Sequence, residues 1–117
     1  MVDADIAWAT GLIEGEGCFY TFRCRQGPYL YLYPRMQVNM TDEDPLQRLQ
    51  AILGGALNGP YVKTTPSRAN RKVQWQWSVN NPAEFDRIAD LIRPWLCARR
   101  RGKLAEVQAE VRGRAIR

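Results

Sequence analysis

The run Trp8-Ala9-Thr10-Gly11-Leu12-Ile13-Glu14-Gly15-Glu16-Gly17 constrains this chain more than any other stretch. It places Gly11 and Gly15 one helical turn apart, although each Gly in a helix interior costs about 1 kcal/mol relative to Ala. Such a pair makes sense where something must come very close to the backbone. Trp8 and Leu12 flank the two glycines at i, i+3, i+4 and i+7 spacing, so this face is flat, apolar and suited to packing against a second helix at short separation. The opposite stripe, Ile6, Ala9, Thr10 and Ile13, is left to face a core. Glu14 and Glu16 emerge where the helix stops, and Gly17 supplies backbone freedom for the turn into the next segment. Carboxylates at a helix C-terminus oppose the macrodipole by about 0.3–1 kcal/mol each, so a cation there would be stabilising.

With 117 residues the chain is read as one domain, residues 1–117, large enough for a core without disulfides or a structural metal. Its formal charge of +5 and pI near 9.4 point to an anionic partner. Of 17 Lys and Arg residues 14 are Arg, whose planar fork suits phosphates and guanine edges; GC-rich coding would give the same bias. No stretch resembles a signal peptide, and no apolar run approaches the roughly 18 residues of a membrane span. The expectation is an intracellular protein, cytoplasmic or organellar, that is not secreted. Cys18, Cys24 and Cys97 have no metal-ligand spacing, and their odd number suits a reducing interior. The chain has no His, which excludes His-based nuclease sites, Ser-His-Asp hydrolysis and His-bound zinc. Carboxylate-and-metal chemistry is then the simplest hydrolytic option.

Along the chain, Asp3 or Asp5 is placed to cap the first helix, which should run to about Glu14. Residues 18–25 read as extended, and Gly27-Pro28 marks a turn. From Tyr29 to Met40 the pattern has period two: Leu30, Leu32, Pro34, Met36 and Val38 on one face, and Tyr29, Tyr31, Tyr33, Arg35, Gln37 and Asn39 on the other. Pro34 argues for an edge position or a bulge. Thr41 or Asp42 starts a second helix with Leu46, Leu49, Ile52 and Leu53 as its stripe, ended by Gly54-Gly55. Asn58-Gly59-Pro60 leads into a third strand, residues 61–65, and residues 66–71 read as a basic hairpin loop. In the fourth strand Val73, Trp75, Trp77 and Val79 alternate with Lys72, Gln74, Gln76, Ser78 and Asn80. Asn81-Pro82 opens a third helix, with Asn as cap and Pro at the first helical position. Phe85, Ile88, Ala89, Leu91 and Ile92 form its buried side, Pro94 breaks it, and Trp95-Leu96 returns to the core. A short last helix starts near Arg99 with Leu104, Val107 and Val111 as its stripe. The order is αββαββα with that helix added, an α+β fold on an antiparallel sheet.

The polar strand faces interleave aromatic rings with Arg, Gln and Asn, side chains able to contact sugars, phosphates and base edges. Cross-strand aromatic pairing gives a plainer account of the rings. The candidate DNA contacts are Tyr31, Tyr33, Arg35, Gln37, Asn39, Lys63, Thr65, Arg68, Arg71, Lys72, Gln74, Gln76 and Ser78, with Tyr20, Phe22 and Gln26 on the first strand as further candidates. Arg99-Arg100-Arg101 at a helix start sits against the dipole, which favours a phosphate partner for Arg100 and Arg101 over a merely solvated face.

Residues 9–17 resemble the LAGLIDADG motif of homing endonucleases, matching both glycines and both acids, and the αββαββα order resembles that family over nearly the whole chain. The resemblance implies a saddle-shaped sheet and a homodimer joined through Trp8, Gly11, Leu12 and Gly15. It also implies a divalent metal, Mg²⁺ with Mn²⁺ or Ca²⁺ able to substitute in binding, held at Glu16 and Gly15 beside the scissile phosphates. Pro94-Trp95-Leu96-Cys97-Ala98-Arg99 has the shape of the family segment that ends in a cation near the metal, here Arg99. Three departures stand out. Glu16 replaces the usual Asp, and Met40 stands where relatives often carry a polar Gln, with Asn39 or Gln37 as possible substitutes; Asp44 also stands where a basic residue is sometimes found.

The function expected from the resemblance is site-specific, metal-dependent hydrolysis of double-stranded DNA at a long near-palindromic site, in the service of intron or intein mobility. The departures leave open a weak or inactive relative acting as a DNA-binding regulator or an intron-splicing maturase. A small structural dimer without a nucleic-acid partner is the reading from another class, and it predicts behaviour insensitive to salt.

Overall fold

In the computed structural model the described residues are 2–63 and 72–115. The chain runs through α1 (Asp3–Glu16), β1 (Gly17–Gln26), β2 (Tyr29–Met40), α2 (Glu43–Leu53), β3 (Ala56–Lys63), β4 (Lys72–Val79), α3 (Pro82–Ile92), a 3₁₀ turn (Arg93–Trp95) and α4 (Ala98–Ala115). The strands form one antiparallel sheet in the order β1-β2-β4-β3. The expected αββαββα order is therefore present, but the added helix is the longest among the described residues, 18 residues instead of a short cap.

Strand alternation decides what each face of the sheet does. Phe19, Pro34, Met36, Val38, Trp77 and Val79 turn to one side and are buried. There they meet Ile6, Ala9 and Ile13 of α1, Leu46, Leu49 and Leu53 of α2, Phe85, Ile88, Ala89 and Ile92 of α3, and Leu104 and Val107 of α4. The four helices of the described residues thus share one core on one face, and among those residues no helix or strand covers the opposite face. Thr10, buried within α1, donates its hydroxyl to the Ile6 carbonyl at 2.7 Å, so no polar group is orphaned there.

Local signals account for most boundaries. Asn81 accepts from the backbone N–H groups of Ala83 and Glu84, and Pro82 occupies the first turn of α3, as the sequence predicts. Gly54 and Gly55 end α2 with φ of 85° and 92°, a region that penalises side chains. This corner is tied to its neighbours: the Trp77 indole N–H donates to the Gly54 carbonyl at 2.7 Å, Arg87 to the Leu53 carbonyl at 2.6 Å, and the Gly55 N–H to Glu84 at 2.9 Å. Pro34 lies in the part of β2 that pairs only with β1, since β4 pairing begins at Met36, so the expected edge environment exists inside an otherwise central strand.

Several expectations need correction. Neither Asp3 nor Asp5 caps α1: Val2 occupies the cap with no side-chain bond, and the two acids sit in the first turn, where the helix dipole favours them. α1 continues to Glu16, making that carboxylate the last helical residue. Gly17 is extended, φ −90°; a Cβ there would lie 2.7 Å from the Ile13 carbonyl oxygen, so it is space and not backbone freedom that requires glycine. β3 starts at Ala56, and Asn58-Gly59-Pro60 is a register shift inside the strand and not a lead-in to it. Leu96 is buried, but Trp95 remains 48% exposed because the 3₁₀ turn points it away from the core. Among the described residues no helix is long and apolar enough to cross a membrane.

Candidate functional site

Two features meet where α1 ends. The glycine face of α1 is open: Gly11 and Gly15 are exposed, and a Cβ built on either would touch nothing within 4 Å. Trp8 and Leu12 beside them are half-buried, and Arg48 of α2 lies over the Trp8 ring, 4.1 Å from its centroid, covering one side of the indole. The two acids of the same helix have separate fates. Glu14 accepts the Cys97 N–H at 2.7 Å and faces Arg100 Nε at 3.7 Å. Cys97 precedes α4, and its carbonyl accepts the first helical bond, from Arg101 N. Glu14 therefore caps the last helix from the far side of the sequence. Its carboxylate accepts from the Cys97 thiol and lies beside it, holding that thiol above its usual pKa. Glu16 is exposed and has no hydrogen-bond or ion-pair partner among the described residues.

The Arg triplet is divided in the same way. Arg100 faces Glu14, and Arg101, though exposed, donates to the Leu96 carbonyl at 2.7 Å, so both have a partner at the start of α4. Arg99 is exposed and lines a cleft with Cys18, two residues beyond Glu16. Of the three, Arg99 is the one left without an internal partner among the described residues.

The bare face of the sheet gathers the strand candidates. Register pairs Tyr20 with Arg35, Phe22 with Tyr33 and Cys18 with Gln37; β4 then adds Gln76 opposite Asn39 and Ser78 opposite Gln37. Tyr29, Tyr31 and Tyr33 form a ladder with ring centroids 6.3 and 6.5 Å apart. Arg35 lies over Phe22 at 5.8 Å, and its Nε is buried without a partner. Gln37 receives two bonds on its amide oxygen, from the Tyr20 hydroxyl at 3.1 Å and Gln76 Nε2 at 3.3 Å. Its own NH₂ is thereby left to donate elsewhere.

Not every candidate is placed to make contact. Ser78 is only 6% exposed, a small side chain sunk between Gln37 on β2 and Ala56 on β3, and it has little surface to offer. Met40 packs against the core, so it supplies neither polarity nor a stand-in for it. Lys63 and Lys72 are paired at the end of β3 and β4. Thr65, Arg68 and Arg71 lie outside the described residues. Two side chains were missed. Asn58 pairs with Gln76 and Tyr61 with Gln74, which puts both on the bare face, Tyr61 at 49% exposure in a hollow of ≈350 Å³ with Asn39. A strand expected to start at Tyr61 leaves Asn58 outside it; Tyr61 itself lies at alternate spacing from Lys63, which is the signal the sequence offers for it.

No family sequence model matches this chain, and no curated protein matches it in sequence. Solved structures do. The homing endonuclease I-CvuI in complex with its target superposes with a TM-score of 0.73 at 16% identity, over 94% of this chain and 67% of that one. The fold is that of the LAGLIDADG homing endonucleases. An archaeal intron-encoded homing endonuclease complexed with DNA gives 0.70 at 17% identity, over 97% of this chain and 70% of its own. The LAGLIDADG meganuclease I-CpaMI bound to uncleaved DNA gives 0.70 at 17%, with this chain spanning only 35% of it. At such identities the LAGLIDADG fold is common property, whereas the side chains on its bare face are this chain's own.

Proposed function

We propose that the chain is a site-specific double-strand DNA endonuclease of the homing type that works as a homodimer on a long near-palindromic site. The observation that carries this reading is the division of labour at the end of α1, where Glu14 is used up in capping α4 while Glu16 stands free beside an open Gly11/Gly15 face. Joining two such faces would bring two Glu16 carboxylates together, one for each DNA strand. A single copy offers one free carboxylate at this corner, Glu16. Glu16 and the Gly15 carbonyl suit a hard divalent cation such as Mg²⁺, which binds through few protein oxygens. When bound, that ion supplies charge stabilisation and an acidified water for phosphodiester hydrolysis. Arg99, beside the same corner, neutralises phosphate charge, and the bare sheet carries base contacts through Tyr31, Tyr33, Arg35, Gln37, Asn39, Gln74 and Gln76. An intracellular location follows from a DNA substrate.

The test is cleavage of a randomised double-stranded library with and without Mg²⁺, comparing the chain with Glu16→Gln. Cutting at one near-palindromic sequence that needs both metal and Glu16 is the expected result; absence of metal-dependent cutting refutes the nuclease. Met40, apolar and packed inward, favours a second reading, a DNA-binding regulator or intron-splicing maturase on the same scaffold. That reading predicts selective retention of sequences without cutting.

A further inference from the structure

We infer that a cleft between the start of β1 and α4 grips the DNA backbone next to Glu16, with Lys103 as a phosphate-binding residue alongside Arg99. This rests on duplex DNA being the partner. The cleft, ≈630 Å³, begins at Cys18, and its far wall is formed by Arg99, Gly102, Lys103 and Glu106 of α4. Because β1 is an edge strand, no further strand closes the outer side. Arg99 and Lys103 are one helical turn apart and so line the same wall. Between them Gly102 leaves the helix backbone bare, with nothing within 4 Å of where a Cβ would stand, which gives room for a sugar-phosphate strand.

The charges in the cleft are arranged for exchange. Arg100, also in the lining, is held by Glu14, so its charge is already balanced. Lys103 Nζ lies 3.6 Å from Glu106, with both side chains well exposed to water. Exposed pairs of this kind are weak, so Lys103 can leave Glu106 for a phosphate at little cost, while Glu106 opposes the incoming anion. Lys103 and Glu106 therefore act on DNA with opposite signs. The contact is to backbone, so it carries affinity without sequence preference.

The experiment measures binding of a random-sequence duplex by fluorescence anisotropy over a salt series. Lys103→Gln should lower the slope of log Kd against log salt by about 0.9, the loss of one phosphate contact, while leaving the ranking of sequences unchanged. Glu106→Gln should bind more tightly than the parent chain at low salt. An unchanged slope in the first variant, binding no tighter in the second, or a preference for an RNA duplex over DNA would each overturn the inference. If the parent chain fails to bind the duplex even at low salt, the nuclease reading falls first, and this one with it.

Discussion

Replacing Gly11 and Gly15 by Ala should stabilise the monomer and weaken self-association, two effects of opposite sign from the same methyl groups. In the single chain both positions are exposed and a Cβ meets nothing within 4 Å, so the substitution carries no steric cost. Gly→Ala in a helix interior gains about 1 kcal/mol, which applies in full to Gly11; Gly15, next to the last residue of α1, adds less. For 117 residues, with unfolding entropy of about 2.1 cal/mol/K per residue, 1 kcal/mol corresponds to about 4 °C, so the double variant should melt at least about 4 °C higher as a monomer. Where two helices pack closely, an inserted methyl costs about 1–3 kcal/mol, which means about tenfold weaker association or more. Thermal melts at low protein concentration read the first effect, and sedimentation across a concentration series reads the second. Because a dimer's melting temperature depends on concentration, the parent and variant curves should cross as concentration rises. Unchanged self-association, or a lower monomer melting temperature, would refute the assignment of this face to close helix packing.

Three further outcomes are expected. Glu14→Ala removes the acceptor that caps α4 and should lower stability by about 0.5–2 kcal/mol in urea unfolding; because Glu14 raises the Cys97 pKa, its loss increases the thiolate fraction, and iodoacetamide should alkylate Cys97 faster at mildly alkaline pH. Gly55→Ala should destabilise by more than the about 1–2 kcal/mol of a left-handed residue, because its Cβ would fall 2.7 Å from Trp77 Nε1; denaturant titration checks this. Gln37→Glu retains an acceptor for Tyr20 and Gln76, so the melting temperature should hold, but it exchanges a free NH₂ for a carboxylate. Selection from a DNA library should show weaker binding and, at the position read, a shift toward cytosine, whose N4 amine donates to Glu.

What was legible in the sequence was local. Period two in residues 29–40 and 73–79 declared strands and sorted their faces, Asn81-Pro82 declared a helix start, and Gly54-Gly55 declared a helix end, because each signal lies within a few residues of its effect. The Gly11/Gly15 stripe and the core stripe opposite it were readable for the same reason. What escaped depends on partners distant in sequence. Nothing near Glu14 indicates that it caps a helix 83 positions on, or that Arg100 and Arg101 are engaged at that corner. The length of α4 was hidden by its many charges; it is held by buried Leu104, Val107 and Gln108, with Gln108 bonded to Arg93 and Asp86 and Glu110 bonded to Thr21 and Arg23 of β1. Ser78 looked like its neighbours on the polar face, but a small side chain in mid-sheet is submerged by the longer ones on either side.

The Glu14–Cys97 bond has a mechanical consequence. A sheet that follows the curvature of a duplex must twist and bend as it seats, and β1 leaves α1 directly after Glu16. Without a brace, that movement would pass straight into the carboxylate. By fastening the end of the first helix to the beginning of the last, Glu14 ties together the two elements that carry Glu16 and Arg99. If the chain cuts DNA as proposed, the sheet could adjust to the duplex while Glu16 and Arg99 keep their places, like a hinge leaf screwed to the frame.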